Sequence, residues 1–157
     1  MGKSLVEEDF ISTAQDILRL SQELRVPLVL PTDAVVAAEL SATAQANTVP
    51  VDEIGADQMG LDIGPNTIQL FRNELANSGT VVWNGPMGVF EVDQFAHGTI
   101  EVAKLLAALT KEHRTITIVG GGDSVAAVTK VRVVWLSLEG PVFRLMTDFL
   151  FYLPVIC

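Results

Sequence analysis

Short apolar runs, rich in β-branched residues, alternate along this chain with stretches whose apolar positions recur every three or four residues. That alternation limits the fold more than any other feature of the sequence. The runs are Val26-Pro27-Leu28-Val29-Leu30, Thr80-Val81-Val82-Trp83 and Thr115-Ile116-Thr117-Ile118-Val119, each short enough to be a buried strand. Before the first run, Phe10, Ile11, Ala14, Ile17, Leu18 and Leu24 trace one face of an amphipathic helix over about residues 7–24. Pro65-Asn66 leads into a second helix over 67–75, with Ile68, Phe71, Arg72 and Leu75 on one side. Phe95, Ile100, Ala103, Leu106 and Ala107 line a third helix, and Val125-Ala126-Ala127-Val128 opens a fourth. Residues 41–58, rich in Ala, Thr, Gln and Asn, read as an exposed loop or hairpin. Strands alternating with helices in this way predict the α/β class: a parallel sheet with flanking helices.

The 157 residues fit one domain and exclude a two-domain enzyme. With 49% apolar and 18% charged residues there is material for a core, so general disorder is excluded. Ten Lys and Arg against nineteen Asp and Glu leave a net charge of −9. A chain this acidic supplies no basic face for nucleic acid, and anionic membranes are disfavoured for the same reason. Cys157 is the sole cysteine, so neither an internal disulfide nor a thiolate metal cage can form. The N-terminal Met1-Gly2-Lys3-Ser4-Leu5-Val6-Glu7-Glu8-Asp9 has no signal-peptide core, and Val6 breaks the myristoylation pattern. Gly2-Lys3-Ser4 lacks the first glycine and the strand of a P-loop. His97 and His113 have no Cys or His partner at metal spacing, and no G-x-S-x-G elbow exists, which disfavours hydrolase and thiol chemistry.

Residues 1–130 hold eight basic and seventeen acidic side chains, whereas 131–157 are charge-balanced and hold five of the ten aromatics. The change predicts a boundary near Val131, with residues 1–131 as the folded unit and 132–157 as an apolar tail. Glu139, Pro141, Arg144, Asp148 and Pro154 interrupt every window of about 20 residues, so the tail reads as an irregular extension, not a membrane span.

In an open parallel sheet, ligands bind beyond the carboxyl ends of strands. Two segments have that position: Asn84-Gly85-Pro86-Met87-Gly88-Val89-Phe90-Glu91 and Gly120-Gly121-Gly122-Asp123-Ser124. The three glycines admit a ligand close to the backbone, and the N-terminus of the following helix suits phosphate. Asp123 would repel phosphate unless a divalent metal stood between them. On these residues alone, a tight turn with Asp123 or Ser124 as helix cap is an equal alternative. The first loop, on its own residues, reads as a Pro-Gly turn ending in a cap carboxylate, with Glu91 as ribose acceptor the second possibility. Met59-Gly60-Leu61-Asp62-Ile63-Gly64-Pro65 reads as a plain turn. Neither loop carries a Rossmann fingerprint or a P-loop lysine.

Taken in order, Gly60-Leu61-Asp62-Ile63-Gly64-Pro65, the segment from Trp83 to Glu91, and Gly120-Gly121-Gly122-Asp123-Ser124-Val125-Ala126-Ala127-Val128 resemble the nucleotide-binding, carboxyl-terminal half of phosphoglycerate kinases. Gly2-Lys3-Ser4-Leu5-Val6-Glu7 and Leu30-Pro31-Thr32-Asp33 fit the same pattern, so the resemblance covers residues 2–131. It implies phosphoryl transfer between 1,3-bisphosphoglycerate and ADP, giving 3-phosphoglycerate and ATP, with Mg2+. It also implies residue roles. Gly60 and Leu61 flank adenine, Asn84 and Pro86 lie near ribose and phosphates, and Glu91 holds the ribose hydroxyls. Gly120, Gly121, Gly122 and Ser124 cradle the phosphates, Gly121 and Gly122 being the catalytic positions, and Asp123 holds Mg2+. Asp123 and Glu91 must then share one cleft.

The departures from the family are equally definite. Nothing here corresponds to its amino-terminal domain, which binds phosphoglycerate and supplies a catalytic arginine, or to its Gly-Gly-Ala-Lys loop. After Val131 the family's glycine-rich segment is replaced by Arg132-Val133-Val134-Trp135-Leu136, which suggests a truncated or misread gene product. The expected chain is therefore inactive by itself, a fragment that needs a missing amino-terminal domain. The alternatives are a non-catalytic nucleotide-binding module and a remnant that self-associates through its tail. The resemblance is compatible with the cytoplasm and with a plastid stroma.

Overall fold

The computed structural model describes residues 2–130 and 143–146. A short 3-10 turn leads into α1 (Ile11–Leu24), then β1 (Asp33–Ala37), β2 (Asn47–Pro50), β3 (Met59–Ile63) and α2 (Pro65–Leu75). β4 (Thr80–Asn84), α3 (His97–His113), β5 (Ile116–Gly120), α4 (Gly122–Lys130) and β6 (Phe143–Met146) follow. The α/β class holds, with a parallel sheet and flanking helices.

That sheet has the order β4-β5-β6. β4 and β5 run parallel in the register Val82 to Ile118 and Asn84 to Gly120, joined by the α3 crossover. β6 adds parallel to β5, so part of the expected irregular tail is strand; the rest of 132–157 lies outside the described residues. A second sheet, β2-β1-β3, is antiparallel throughout. It contradicts two expectations. Residues 41–58 do supply a hairpin strand, but Met59–Ile63 is strand β3 where the sequence suggested a turn. Residues 26–30 form no strand, and Val26, Leu28 and Leu30 are exposed. An apolar run becomes a strand only beside a neighbouring strand, and among the described residues none pairs with this run; Val26 instead donates its N–H to the Ser21 carbonyl at the end of α1, and its own carbonyl accepts from the Ser21 hydroxyl.

The main core lies between α2, α3 and the inner face of the parallel sheet. Ile68 from α2, Leu105, Leu106 and Leu109 from α3, and Val81, Trp83 and Val119 from the strands build it. β4 is buried on alternate residues only: Val81 and Trp83 point inward, whereas Val82 is 68% exposed. The sequence led us to expect a strand covered on both faces. A smaller cluster of Ala37, Leu61 and Phe95 packs the antiparallel sheet against residues 89–95. α1 has no buried residue, although its apolar face is continuous.

α2 shows how local and distant signals combine. Pro65 stands at its start, where a missing N–H costs nothing. The preceding Gly64 offers no side-chain cap. Asp33 of β1 does that work instead: its carboxylate accepts from the N–H groups of Asn66 (3.0 Å) and Thr67 (2.8 Å) and from the Thr67 hydroxyl (2.6 Å).

Candidate functional site

The carboxyl ends of β4 and β5 stand side by side, so the two loops suspected from sequence leave the sheet together. Asn84 is paired in register with Gly120, and its Oδ1 lies against the glycine turn. A Cβ on Gly121 would stand 2.8 Å from that oxygen, and Gly121 has φ +84°, so the position excludes other residues on both counts. Gly85 also has a positive φ, +101°, with open space around it, and Gly122 likewise faces open space.

Ser124 ties the two loops together. Its side chain is fully buried, and its Oγ accepts a hydrogen bond of 2.6 Å from the Gly85 N–H, across 39 residues of sequence. α4 begins at Gly122, so Asp123 and Ser124 lie within its first turn and neither is the residue preceding the helix. That removes the simple cap reading for both. Asp123 is exposed at the positive end of the helix.

The 85–91 loop then reaches the other sheet. Met87 N–H donates to Thr99 Oγ1 of α3 (2.9 Å), and Val89 N–H donates to the Leu61 carbonyl of β3 (2.9 Å). Phe90 joins Ala96 and Ala127 of α4 in a small buried cluster. Pro86 is half-buried in the loop, and the next residue after Phe90, Glu91, is exposed. Leu61 is buried, and the half-buried Gly60 donates its N–H to Ser4 Oγ (2.9 Å), which docks the N-terminal segment alongside β3.

Asn84, Gly85, Gly120, Gly121 and Ser124 are thus in direct contact. Gly60, Leu61 and Glu91 connect to them through one loop. Sequence reasoning missed three residues that set this geometry: Asp33, Thr99 and Asp62. Asp62 is fully buried and accepts from the N–H groups of Ile63 (2.9 Å) and Gly98 (2.7 Å). Burial pushes its carboxyl from 3.8 up to about 6, against the Gly98 and Ile63 hydrogen bonds and the charge of His97. A buried acid inside the Gly60 to Pro65 motif was the available signal.

Among the described residues no three His, Cys, Asp or Glu side chains converge on a metal-sized site. The donor chemistry at α4 nevertheless suits Mg2+, which takes one or two carboxylates and completes its shell with phosphate oxygens and water. An open groove of about 400 Å3 lies elsewhere, lined by residues that include Glu39, Asn47, Asp57 and Gln58. It contains none of the candidate residues, and its two acids make it a poor phosphate site. No helix among the described residues is long and apolar enough to cross a membrane.

The family model described as phosphoglycerate kinase matches residues 1–137. The chain is 51% identical over 130 residues to the phosphoglycerate kinase of Prochlorococcus marinus (strain MIT 9515), covering 83% of this chain and 32% of that relative. Against the enzyme of Synechococcus elongatus it is 53% identical over 133 residues, covering 85% and 33%. Among solved structures, phosphoglycerate kinase from Coxiella burnetii superposes with a TM-score of 0.80 at 40% identity, covering 84% of this chain and 33% of that one. The enzyme from Pyrococcus horikoshii OT3 gives 0.62 at 28% identity, covering 78% and 28%. The chain spans about a third of the length of the curated relatives it matches. It belongs to the phosphoglycerate kinase family.

Proposed function

We propose that residues 84–91 and 120–124 bind MgADP or MgATP, as the nucleotide side of phosphoryl transfer between 1,3-bisphosphoglycerate and ADP. The single observation that carries this reading is the Ser124 hydroxyl holding Gly85, because it joins two glycine-bearing loops at the ends of adjacent parallel strands. The amides of Gly120, Gly121 and Gly122 take the phosphate oxygens, with Gly121 and Gly122 nearest the transferring group. Ser124 serves this cradle chiefly by fixing the Gly85 loop. Asn84 and Pro86 border ribose and phosphates, Glu91 accepts from the ribose hydroxyls, and Gly60 and Leu61 flank adenine. Asp123 holds Mg2+, which when bound neutralises phosphate charge that the protein's own groups here do not.

Binding and turnover separate in this chain. Phosphoryl transfer rests on positioning and on stabilising a charged transition state, and loss of one cationic group costs on the order of a thousandfold. The acceptor site, the arginine and the lysines expected of the family lie outside the matched third, so this chain alone turns over no substrate. Residues 1–131 act as the nucleotide unit, and the chain beyond them adds β6 to its parallel sheet. Titration calorimetry of the purified chain with MgADP tests the reading. Weak binding, reduced in Asp123→Asn, is expected; no binding up to millimolar nucleotide overturns it. ATP formation from 1,3-bisphosphoglycerate would overturn the inactivity.

A second reading, self-association, is favoured by one observation. The 3-10 turn before α1, the end of α1 and the segment after it present Phe10, Leu24, Val26 and Leu30 at 54% exposure or more, large apolar side chains of the kind found at contact sites.

A further inference from the structure

The candidate nucleotide site has a buried anchor that none of its proposed ligand contacts uses. β3, the 85–91 loop and the first turn of α3 meet at Asp62. Its Oδ2 takes the Gly98 N–H and its Oδ1 the Ile63 N–H. Gly88 of the loop and Gly98 of α3 both approach so closely that a Cβ on either would overlap the Asp62 carboxylate. The neighbouring Leu61 carbonyl holds Val89 of the same loop. We infer that Asp62 is a positioning residue: its ionised carboxylate holds the Gly98 N–H at the start of α3 and packs against Gly88, which keeps the 85–91 loop in register for nucleotide, and protonating it loosens that junction while the fold as a whole becomes more stable.

The two effects have different causes. A hydrogen bond to an ionised acceptor is roughly twice as strong as one between neutral groups, so a proton on Asp62 weakens the Gly98 tether. The same proton relieves the cost of a charge kept away from water. The carboxyl is raised to about 6, so the change falls within reach of ordinary buffers. The titratable groups on the surrounding elements are His97 and Glu101 on α3, Glu91 and Asp93 beside the loop, and Asp33 on β1. His97 acts on Asp62, its positive form favouring the carboxylate. Glu101 is engaged with Lys104 and Arg72, and Asp33 with Asn66 and Thr67.

The inference rests on the nucleotide reading for its functional half, and the experiment separates the two. Amide hydrogen exchange of the full chain and of Asp62→Asn is followed as pH is lowered through about 6, corrected for intrinsic rates, alongside urea stability and MgADP affinity. In the native sequence, protection of the Gly98 and Val89 amides should fall at least about threefold with a midpoint near 6 while overall stability rises. MgADP affinity should weaken over the same interval. In Asp62→Asn the protection and the stability should lose that midpoint, and the affinity should keep only the nucleotide's own titration, which serves as the control. If protection of Gly98 and Val89 rises together with global stability, or stays flat, Asp62 is an ordinary buried acid and the inference is overturned. If the loop responds but no nucleotide binds at any pH, the anchor stands and the nucleotide reading fails. Should Asp62→Asn not fold, the pH series on the native sequence decides alone, because the opposed trends are its signature.

Discussion

Replacing Ser124 by Ala removes a single oxygen, the one that takes the Gly85 N–H at 2.6 Å. The hydroxyl is fully buried, but Gly85 is only partly so, and water can reach the orphaned N–H. The loss therefore belongs at the low end of the range for a broken hydrogen bond with an unmet donor, about 1 kcal/mol. Packing adds no restraint at Gly85, since its φ is +101° and a Cβ there would touch nothing within 4 Å. The freed loop must be reordered each time nucleotide binds, so the same energy appears as a loss of affinity of about fivefold. Urea denaturation and MgADP titration of the native chain and Ser124→Ala measure the two effects side by side. An Ser124→Ala chain with unchanged midpoint and unchanged MgADP affinity would refute the idea that this hydroxyl couples the loops.

Asp33→Ala strips α2 of its remote cap and leaves the Asn66 and Thr67 N–H groups without an acceptor, while the Thr67 hydroxyl keeps the backbone carbonyl of residue 33; the urea midpoint should fall by the equivalent of about 2 kcal/mol, and a loss below about 1 kcal/mol would contradict the capping account. Burial raises the Asp62 carboxyl from an ordinary 3.8 to about 6, so the folded state binds the proton more tightly. Its contribution is complete below 3.8 and is lost as pH rises through about 6: the native chain should lose about 3 kcal/mol relative to Asp62→Asn across that window, measured by denaturation at each pH. Light scattering should report association of the native chain, diminished in a Leu24→Ser, Leu28→Ser double variant; equal scattering from both would remove α1 and its following segment as the contact surface.

How far the sequence reached depends on whether a signal was local. α2 was legible because Pro65 fixes its start and Ile68, Phe71 and Leu75 repeat at helical spacing. β4 and β5 were legible as β-branched runs followed by glycine. Val26 to Leu30 has the same local character and forms no strand, because a strand is completed by its neighbours and composition does not name them. The antiparallel sheet was hidden for the same reason: β3 contains Gly60 and Asp62, which read as turn residues until β1 pairs across them. At the site, the glycines that need unusual backbone angles, Gly85 and Gly121, stood out at once. The partners that make the site a unit did not, since Ser124 finds Gly85 from 39 residues away and Asp33 finds Thr67 from 34.

Amide chemical-shift mapping during an MgADP titration of the full chain tests the central claim most directly. Binding at the paired strand ends should move the resonances of Gly85, Gly120, Gly121, Gly122 and Ser124 together, with Asp123→Asn weakening the response. Shifts confined to the groove around Glu39 and Asp57, or none at millimolar nucleotide, would contradict it.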